Sequence, residues 1–266
     1  MSITRVLITG DIFRPNQWAN LFWFWTAIHW HVQEAFKVVP EFKTMAKDTS
    51  FDEWLRLRDE PDVYLKEYDN PDLLIAFELP PAIKRTKIPW IDIRLHPYRW
   101  DPKAILWSVQ TSEDFDKRDL PTVFVRPPDP IPNSERSDDV CFTLQMPHDA
   151  QLFRENTEYS PLDFVPTIKE IIGERRLQIC PHPQATDSDW ALQLLAAIPN
   201  SAIWWKGAYN AMATMRDMIT LSSSTGFEAE HFGCKAHFLL SVDDPGPPRD
   251  IADVNLWLAL AKGFDV

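Results

Sequence analysis

The stretch that decides the fold is Leu221-Ser-Ser-Ser-Thr-Gly-Phe-Glu-Ala-Glu-His-Phe-Gly233, which follows the apolar residues Met218-Ile219-Thr220. This pattern predicts a buried strand, a hydroxyl-rich turn broken at Gly226, and then a helix. Residues 222–225 are good N-cap residues, and a helix start presents unpaired backbone N–H groups at the positive end of its dipole. We therefore predict a phosphate-binding turn here. An ordinary helix cap is the alternative.

A second stretch, Leu177-Gln-Ile-Cys-Pro-His-Pro183, places His182 at the end of another apolar strand, between two prolines. Taken alone, a histidine in this setting is a turn residue. However, parallel strands that end in anion-seeking groups build a single site at the carboxyl edge of their sheet. The two stretches together therefore predict one anion site.

The His-Pro motif followed by the Ser/Thr-rich segment resembles bacterial glycosyltransferases that use CMP-activated acidic sugars. These are the capsule-type Kdo (3-deoxy-D-manno-octulosonic acid) transferases and, more distantly, the CMP-sugar-dependent sialyltransferases. The resemblance is clearest over residues 140–240. It implies an α/β chain of the GT-B type, with two Rossmann-like domains facing a cleft.

The resemblance also implies roles for individual residues. In these families the histidine and the Ser/Thr segment contact the CMP phosphate, and a glutamate early in the following helix binds the ribose hydroxyls. Glu228 occupies the glutamate position, although a first-turn acid that complements the helix dipole is the alternative. Gln145 ends the first strand of the second half and is either a nucleotide contact or an ordinary strand end. The expected nucleotide-binding residues are His182, Ser223, Ser224, Thr225, Gly226, Glu228 and Gln145.

Composition narrows the class of protein. The chain has 266 residues, 45% of them hydrophobic and 12 of them Trp, which is enough for a sizeable core. A net charge of −12 argues against binding to nucleic acid or to an anionic membrane. No signal peptide is apparent, and the apolar runs are shorter than the ~20 residues of a spanning helix. Cys141, Cys180 and Cys234 are predicted to be buried free thiols in a cytoplasmic protein. No metal-ligand spacing is found, so no metal is expected.

The first half alternates strands and helices. Residues 5–10, 72–77 and 88–95 are predicted strands, and residues 17–36 a helix that is apolar over much of its circumference. Burial against the sheet is the favoured interpretation of this helix. A membrane-surface or partner-protein contact is the alternative. Residues 48–70 are predicted to include a solvated helix.

The acceptor side is assigned by position. Asp11 and Glu78 each follow a predicted strand of the first half, and either one is placed to act as the catalytic base beside His182. Arg14 favours the charged form of Asp11 and makes it a poorer proton acceptor, whereas the apolar neighbours of Glu78 favour proton uptake. We therefore prefer Glu78. A cationic cluster after the third strand is predicted to hold the acceptor, with a surface ion cluster as the alternative: Arg94, His96 and Arg99.

A proline-rich segment divides the chain. The predicted organisation is an acceptor-side domain over 1–125, a linker over 126–136, a nucleotide-sugar-binding domain over 137–250 and a terminal helix over 251–266. The predicted activity is metal-independent, inverting transfer of an acidic sugar, Kdo, from a CMP donor to a polysaccharide or glycolipid. No cofactor is expected beyond the donor. A UDP- or GDP-sugar transferase and a non-catalytic module that binds a glycan or a partner are the alternatives.

Overall fold

The computed structural model describes residues 3–9, 18–43, 70–77, 79, 84, 86–95, 107–112, 120–124, 132, 135–147, 149–154, 157–185, 189–242 and 245–264. The strands are β1 (Val6–Thr9), β2 (Glu41–Lys43), β3 (Leu73–Phe77), β4 (Trp90–Leu95), β5 (Trp107–Thr111), β6 (Ser137–Thr143), β7 (Phe153–Arg154), β8 (Thr157–Glu158), β9 (Leu177–Cys180), β10 (Ser201–Ile203), β11 (Met215–Thr220) and β12 (Lys235–Phe238). The α-helices are α1 (Trp18–Phe36), α2 (Val165–Ile172), α3 (Trp190–Ala197), α4 (Ala208–Thr214), α5 (Thr225–His231) and α6 (Val254–Gly263).

The chain divides into two compact units. The first unit comprises Met1–His96, Lys103–Phe124 and Pro245–Val266, and the second comprises Pro97–Pro102 and Val125–Asp244. The main change of unit therefore falls between residues 124 and 125. The terminal helix α6 belongs to the first unit, although it follows the second unit in sequence.

The sheet of the first unit has the strand order β2-β1-β3-β4-β5. The first four strands are parallel, and β5 is antiparallel to β4. Helices α1 and α6 pack together over one face of this sheet. The core on that face combines strand residues such as Ile8 and Ile75 with Trp257 and Leu260 of α6.

Helix α1 covers the sheet as the apolar stripe predicts. Ile28, Val32 and Phe36 are buried in the core of the first unit, whereas Trp30 lies off the stripe and is 70% exposed. The side chains of residues 18–25, which carry the rest of the predicted stripe, lie outside the described residues. No helix within the described part of the chain combines the length and apolarity needed to cross a membrane.

The second unit has a fully parallel five-stranded sheet with the order β10-β9-β6-β11-β12. Successive side chains of a strand point to opposite faces. Phe142 accordingly packs with residues of α2 and α3, whereas Cys141 packs with residues of α4 and α5. The chain is thus an α/β protein with two Rossmann-like units.

Several elements differ from the sequence-based expectation. The edge strands β2 and β5 and the short hairpin β7–β8 were not predicted. Helix α3 has Asp189 at its N-cap position. The predicted helix in residues 48–70 lies outside the described residues. The three cysteines are free and buried, as predicted.

Candidate functional site

Strand order places the candidate site at one edge of the second unit. The chain runs from β6 outwards through β9 and β10, then crosses to the other side of β6 to form β11 and β12. In such sheets ligands bind outside the carboxyl ends of the strands where the order reverses. Here that point lies between β6 and β11. Gln145 follows β6, the serine turn follows β11, and His182 follows the neighbouring strand β9.

Gln145 clamps the start of the serine turn. Its Oε1 accepts a hydrogen bond from the backbone N–H of Ser222 at 2.8 Å, and its Nε2 lies 3.3 Å from Ser222 Oγ. Ser222 Oγ also donates to the carbonyl of Gln151 at 3.0 Å. Gln145 and Ser222 are both buried. Gln145, at the end of β6, therefore holds the turn that follows the neighbouring strand β11. Direct contact between Gln145 and a nucleotide stays a prediction.

Three backbone N–H groups of the turn donate hydrogen bonds within the turn itself. Thr225 N donates to Ser223 Oγ at 3.3 Å, and Gly226 N donates to the Ser223 carbonyl at 3.1 Å. Ser223 N donates to Thr220 Oγ1 at 3.1 Å. These three N–H groups have partners inside the turn, and the predicted contact of the turn with a phosphate stays a prediction. Helix α5 is also only seven residues long, which limits its dipole.

The serine hydroxyls are the groups that the turn presents. Ser224 occupies the N-cap position with helical backbone angles (φ −54°, ψ −21°) and makes no side-chain cap hydrogen bond. Ser224 itself therefore does not act as a side-chain cap, whereas Ser223 Oγ accepts from the backbone N–H two residues later, as a capping serine does. Ser223 Oγ accepts from Thr225 N and keeps its hydroxyl proton for an outside acceptor. Both serines are half-buried.

Thr225 has a different role from the serines. Its Oγ1 lies 3.1 Å from Thr143 Oγ1, and the Thr143 hydroxyl in turn lies 3.3 Å from the carbonyl of Ile219. Because the Thr143 proton goes to that carbonyl, Thr225 is the donor of the pair. Its hydroxyl proton could reach a phosphate only if this bond were broken.

Gly226 is explained by packing. A Cβ atom at this position would lie 2.3 Å from Phe238 Cζ and 2.5 Å from Phe238 Cε1. Glycine lets α5 approach β12 to a distance that no other residue allows. This packing does not test whether Gly226 also lies close to a bound phosphate, and its role in nucleotide binding stays a prediction.

His182 is oriented by the loop that follows it. Its Nδ1 accepts a hydrogen bond from Gln184 N at 3.2 Å. A neutral imidazole whose Nδ1 accepts carries its proton on Nε2. His182 is half-buried and lies directly beyond β9, and in its neutral form this hydrogen bond places the proton on Nε2.

Glu228 is a buried carboxylate held by a tyrosine. The residue is 3% exposed, and its Oε1 accepts a hydrogen bond from Tyr209 OH at 2.8 Å. Tyr209 lies in α4, 19 residues earlier in the chain. Sequence reasoning missed this pair, because no local motif links the two positions.

Arg94, one residue of the cationic cluster predicted for the acceptor, is part of an ion network in the first unit. Arg94 Nε lies 2.8 Å from Asp92 Oδ2, and Lys84 Nζ lies 2.6 Å from the same oxygen. Asp92 is completely buried, and its Oδ1 accepts from Leu79 N at 2.7 Å. Arg94 thus neutralises a buried carboxylate. Asp11, Glu78, His96 and Arg99 lie outside the described residues.

Two charged residues missed by sequence reasoning stabilise the second unit. Arg136, which the sequence placed in the linker, is buried and donates to the carbonyls of Met212 and Met215, each at 2.7 Å, and to that of Phe232. These carbonyls lie at or near the carboxyl ends of α4 and α5, where a cation is favourable. Arginine near a proline-rich segment gives no sequence signal for this role.

Asp217 on β11 is the second missed residue. Its carboxylate accepts from Arg175 at 2.6 Å and pairs with His237 Nε2 at 2.8 Å. Burial acts to raise the pKa of Asp217, but the hydrogen bonds from His237 and Arg175 together hold it below its ordinary value. This cluster lies away from the carboxyl edge, because Asp217 comes early in its strand.

Among the described residues, no group of three or more His, Cys, Asp and Glu side chains is arranged to hold a metal ion. Burial raises the pKa of the Cys234 thiol to about 12, so this cysteine stays protonated at neutral pH.

The chain matches no protein-family model and no curated protein sequence. Among solved structures it is similar to the β-Kdo 2,7 transferase of Thermosulfurimonas dismutans KpsC, with 15% identity, 97% of this chain and 90% of that chain covered, and a TM-score of 0.47. The β-Kdo 2,4 transferase of the same KpsC gives 10% identity, coverage of 97% and 90%, and a TM-score of 0.41. UDP-GlcNAc 2-epimerase of Neisseria meningitidis bound to UDP-GlcNAc has 12% identity and a TM-score of 0.34, and the match covers 89% of this chain and 82% of that chain. All three TM-scores are below 0.5, so the similarity assigns neither a family nor an activity to this chain.

Proposed function

We propose that this protein is an inverting, metal-independent glycosyltransferase that moves an acidic sugar of the Kdo type from its CMP ester to a polysaccharide or glycolipid. One observation carries the proposal. The adjacent parallel strands β9, β6 and β11 end at the edge where the strand order reverses, with His182 and the hydroxyls of Ser223 and Ser224 beyond their ends. We choose CMP as the nucleotide and Kdo as the sugar because these two motifs resemble those of CMP-sugar transferases.

The proposed chemistry requires charge stabilisation on the departing phosphate. When the bond to the sugar breaks, negative charge grows on the phosphate of CMP. His182 would donate from Nε2, and the serine hydroxyls would donate from the turn. Hydrogen bonds to an ionised acceptor are about twice as strong as neutral ones. Donors placed in advance need little rearrangement as the charge develops. In a chain with a net charge of −12, attraction of an anionic donor depends on such local groups.

Two buried residues would hold neighbouring parts of the site in place. Gln145 fixes the backbone where the serine turn begins, and Glu228 fixes Tyr209. Their contribution to nucleotide binding would be to hold other groups in place.

Glu78 is the proposed catalytic base, with Asp11 as the second candidate. Asp92 accepts a hydrogen bond from the backbone of Leu79, so the chain directly after position 78 is held by a buried carboxylate. A base that removes the proton of the acceptor hydroxyl needs such a fixed backbone, because its geometry decides the rate.

Isothermal calorimetry with CMP, UDP and GDP tests the proposal. We expect CMP to bind best, and His182→Ala to weaken CMP binding by about 1.5–3 kcal/mol, the value of a hydrogen bond to a charged group. His231→Ala is the matched control, since it removes a half-buried imidazole from the same unit. Equal CMP affinity in wild type and His182→Ala would remove His182 from the site. Preference for UDP or GDP would favour the other donor class, and CMP binding without transfer to any glycan would favour a non-catalytic module.

A further inference from the structure

An aromatic segment follows β10, the strand next to the one that carries His182. We name residues 204–207, which connect β10 to α4, the aromatic loop; its sequence is Trp-Trp-Lys-Gly. Ile203 of β10 pairs with Ile179 of β9, so the chain leaves the sheet in both strands at the same carboxyl edge. Neighbouring strands are about 4.8 Å apart. The aromatic loop therefore begins about one strand spacing from the Pro181-His182 segment.

The aromatic loop is held at its base while its tip is exposed. Trp204 N donates to the carbonyl of Ile179 at 2.7 Å, and Trp204 Nε1 donates to the carbonyl of Gly207 at 3.1 Å. The Trp204 ring packs against the buried cysteine and methionine cluster of the second unit. The next ring, Trp205, is 81% exposed. The exposed indole on this anchored loop offers a flat face on which a planar ligand can stack.

Tyr209 places a second ring between the aromatic loop and the serine turn. It is 45% exposed, and its hydroxyl is fixed by the buried Glu228. Glu228 lies three residues after Thr225 in α5, which is about 4.5 Å along a helix axis. The ring of Phe232 packs against Tyr209, with the ring centroids 6.2 Å apart. Tyr209 is thus held close to the serine turn.

We propose that the aromatic loop is the nucleobase subsite of the donor, with the base stacked on Trp205 and the ribose lying against Tyr209. This inference rests on the proposed function, because it assigns the part of the nucleotide that lies beyond the phosphate. Every nucleobase has a π-face, so an aromatic ring binds it without needing a specific hydrogen-bond pattern. A glycan acceptor is the competing ligand. The loop's position beside His182, in the unit that carries the phosphate donors, favours the donor nucleotide.

Calorimetry with CMP and with ribose 5-phosphate tests the assignment, because the second ligand keeps the phosphate and sugar but lacks the base. We expect Trp205→Ala to raise the Kd for CMP about 5- to 150-fold, the range of one base–aromatic stack. The Kd for ribose 5-phosphate should stay within about twofold of wild type. Trp205→Phe should fall between wild type and Trp205→Ala, since a phenyl ring retains a smaller stacking face. Phe124→Ala is the matched control, because this ring is 87% exposed in the first unit.

The outcomes separate this inference from the proposed function. Unchanged CMP affinity in Trp205→Ala, or equal losses for both ligands, would refute the nucleobase subsite while leaving the phosphate site standing. Wild-type protein that binds ribose 5-phosphate as tightly as CMP would also refute it, since the base would then contribute nothing. Wild-type protein that binds no nucleotide would refute the proposed function and this inference together.

Discussion

Gly226→Ala is expected to destabilise the protein through one contact. The new Cβ would lie 2.3 Å from Phe238 Cζ, whereas carbon atoms in contact are about 3.5–4.0 Å apart. Either the phenyl ring or helix α5 must therefore move by about 1 Å or more. The Phe238 ring packs against Phe227, with centroids 4.9 Å apart, so it does not turn away freely. Overpacking of this kind costs about 1–3 kcal/mol.

Urea denaturation of Gly226→Ala, Phe238→Leu and the double variant measures this cost. Leucine at position 238 removes the ring that the new methyl group meets, so the double variant should lose less stability than the sum of the two single variants. Neighbouring residues typically couple by about 0.5–3 kcal/mol. A Gly226→Ala variant as stable as wild type, or strictly additive losses, would show that the contact with Phe238 is not the reason for glycine here. The affinity of the folded Gly226→Val variant for CMP tests the separate prediction that this position approaches a phosphate.

Three further predictions follow from the charged residues. Arg136→Met should lower the free energy of unfolding, measured by urea denaturation, by at least about 3 kcal/mol, because buried carbonyl groups lose a charged donor. Arg136→Lys should recover only part of this loss. A loss below about 1 kcal/mol in Arg136→Met would contradict this role. The pKa of Asp217 in the folded protein is lower than its ordinary value of 3.8. The ionised Asp217 side chain therefore stabilises the fold at pH values above 3.8, and this stabilisation is lost as the pH falls through the folded-state pKa. Asp217→Asn should flatten that part of the profile of unfolding free energy against pH; an unchanged acid slope would exclude Asp217 as its source. Glu78→Gln should keep CMP affinity and lower turnover about 10²–10⁴-fold. Near-normal turnover in that variant, with Asp11→Asn inactive but still binding CMP, would reassign the base.

The buried central strands could be predicted from sequence, but the edges could not. Strand β3 is a run of five apolar residues, and three of the four residues of β9 are apolar. In contrast, β2 is the three-residue segment Glu41–Lys43, and β5 has the mixed sequence Trp-Ser-Val-Gln-Thr. Such segments become strands because a neighbouring strand supplies hydrogen-bond partners, and no local pattern records that neighbour.

The positions of the candidate site were easier to predict than its contacts. A serine turn and a His-Pro motif stand out in sequence, and their strands do end at one edge of one sheet. However, a sequence does not show that Ser224 has helical backbone angles or that Thr225 donates towards Thr143. Tyr209 and Glu228 meet only because α4 and α5 pack on the same face of the sheet. Contacts that depend on packing between elements were therefore the ones missed.

The position of α6 has a consequence for how the chain folds as it is synthesised. Apart from Pro97–Pro102, the second unit is one continuous stretch of sequence, so it can fold as soon as that stretch has left the ribosome. The first unit must wait, because Trp257 and Leu260 complete its core and are made after the entire second unit. Until then the apolar face that α6 covers in the finished unit stays exposed, and exposed apolar surface of this kind favours aggregation.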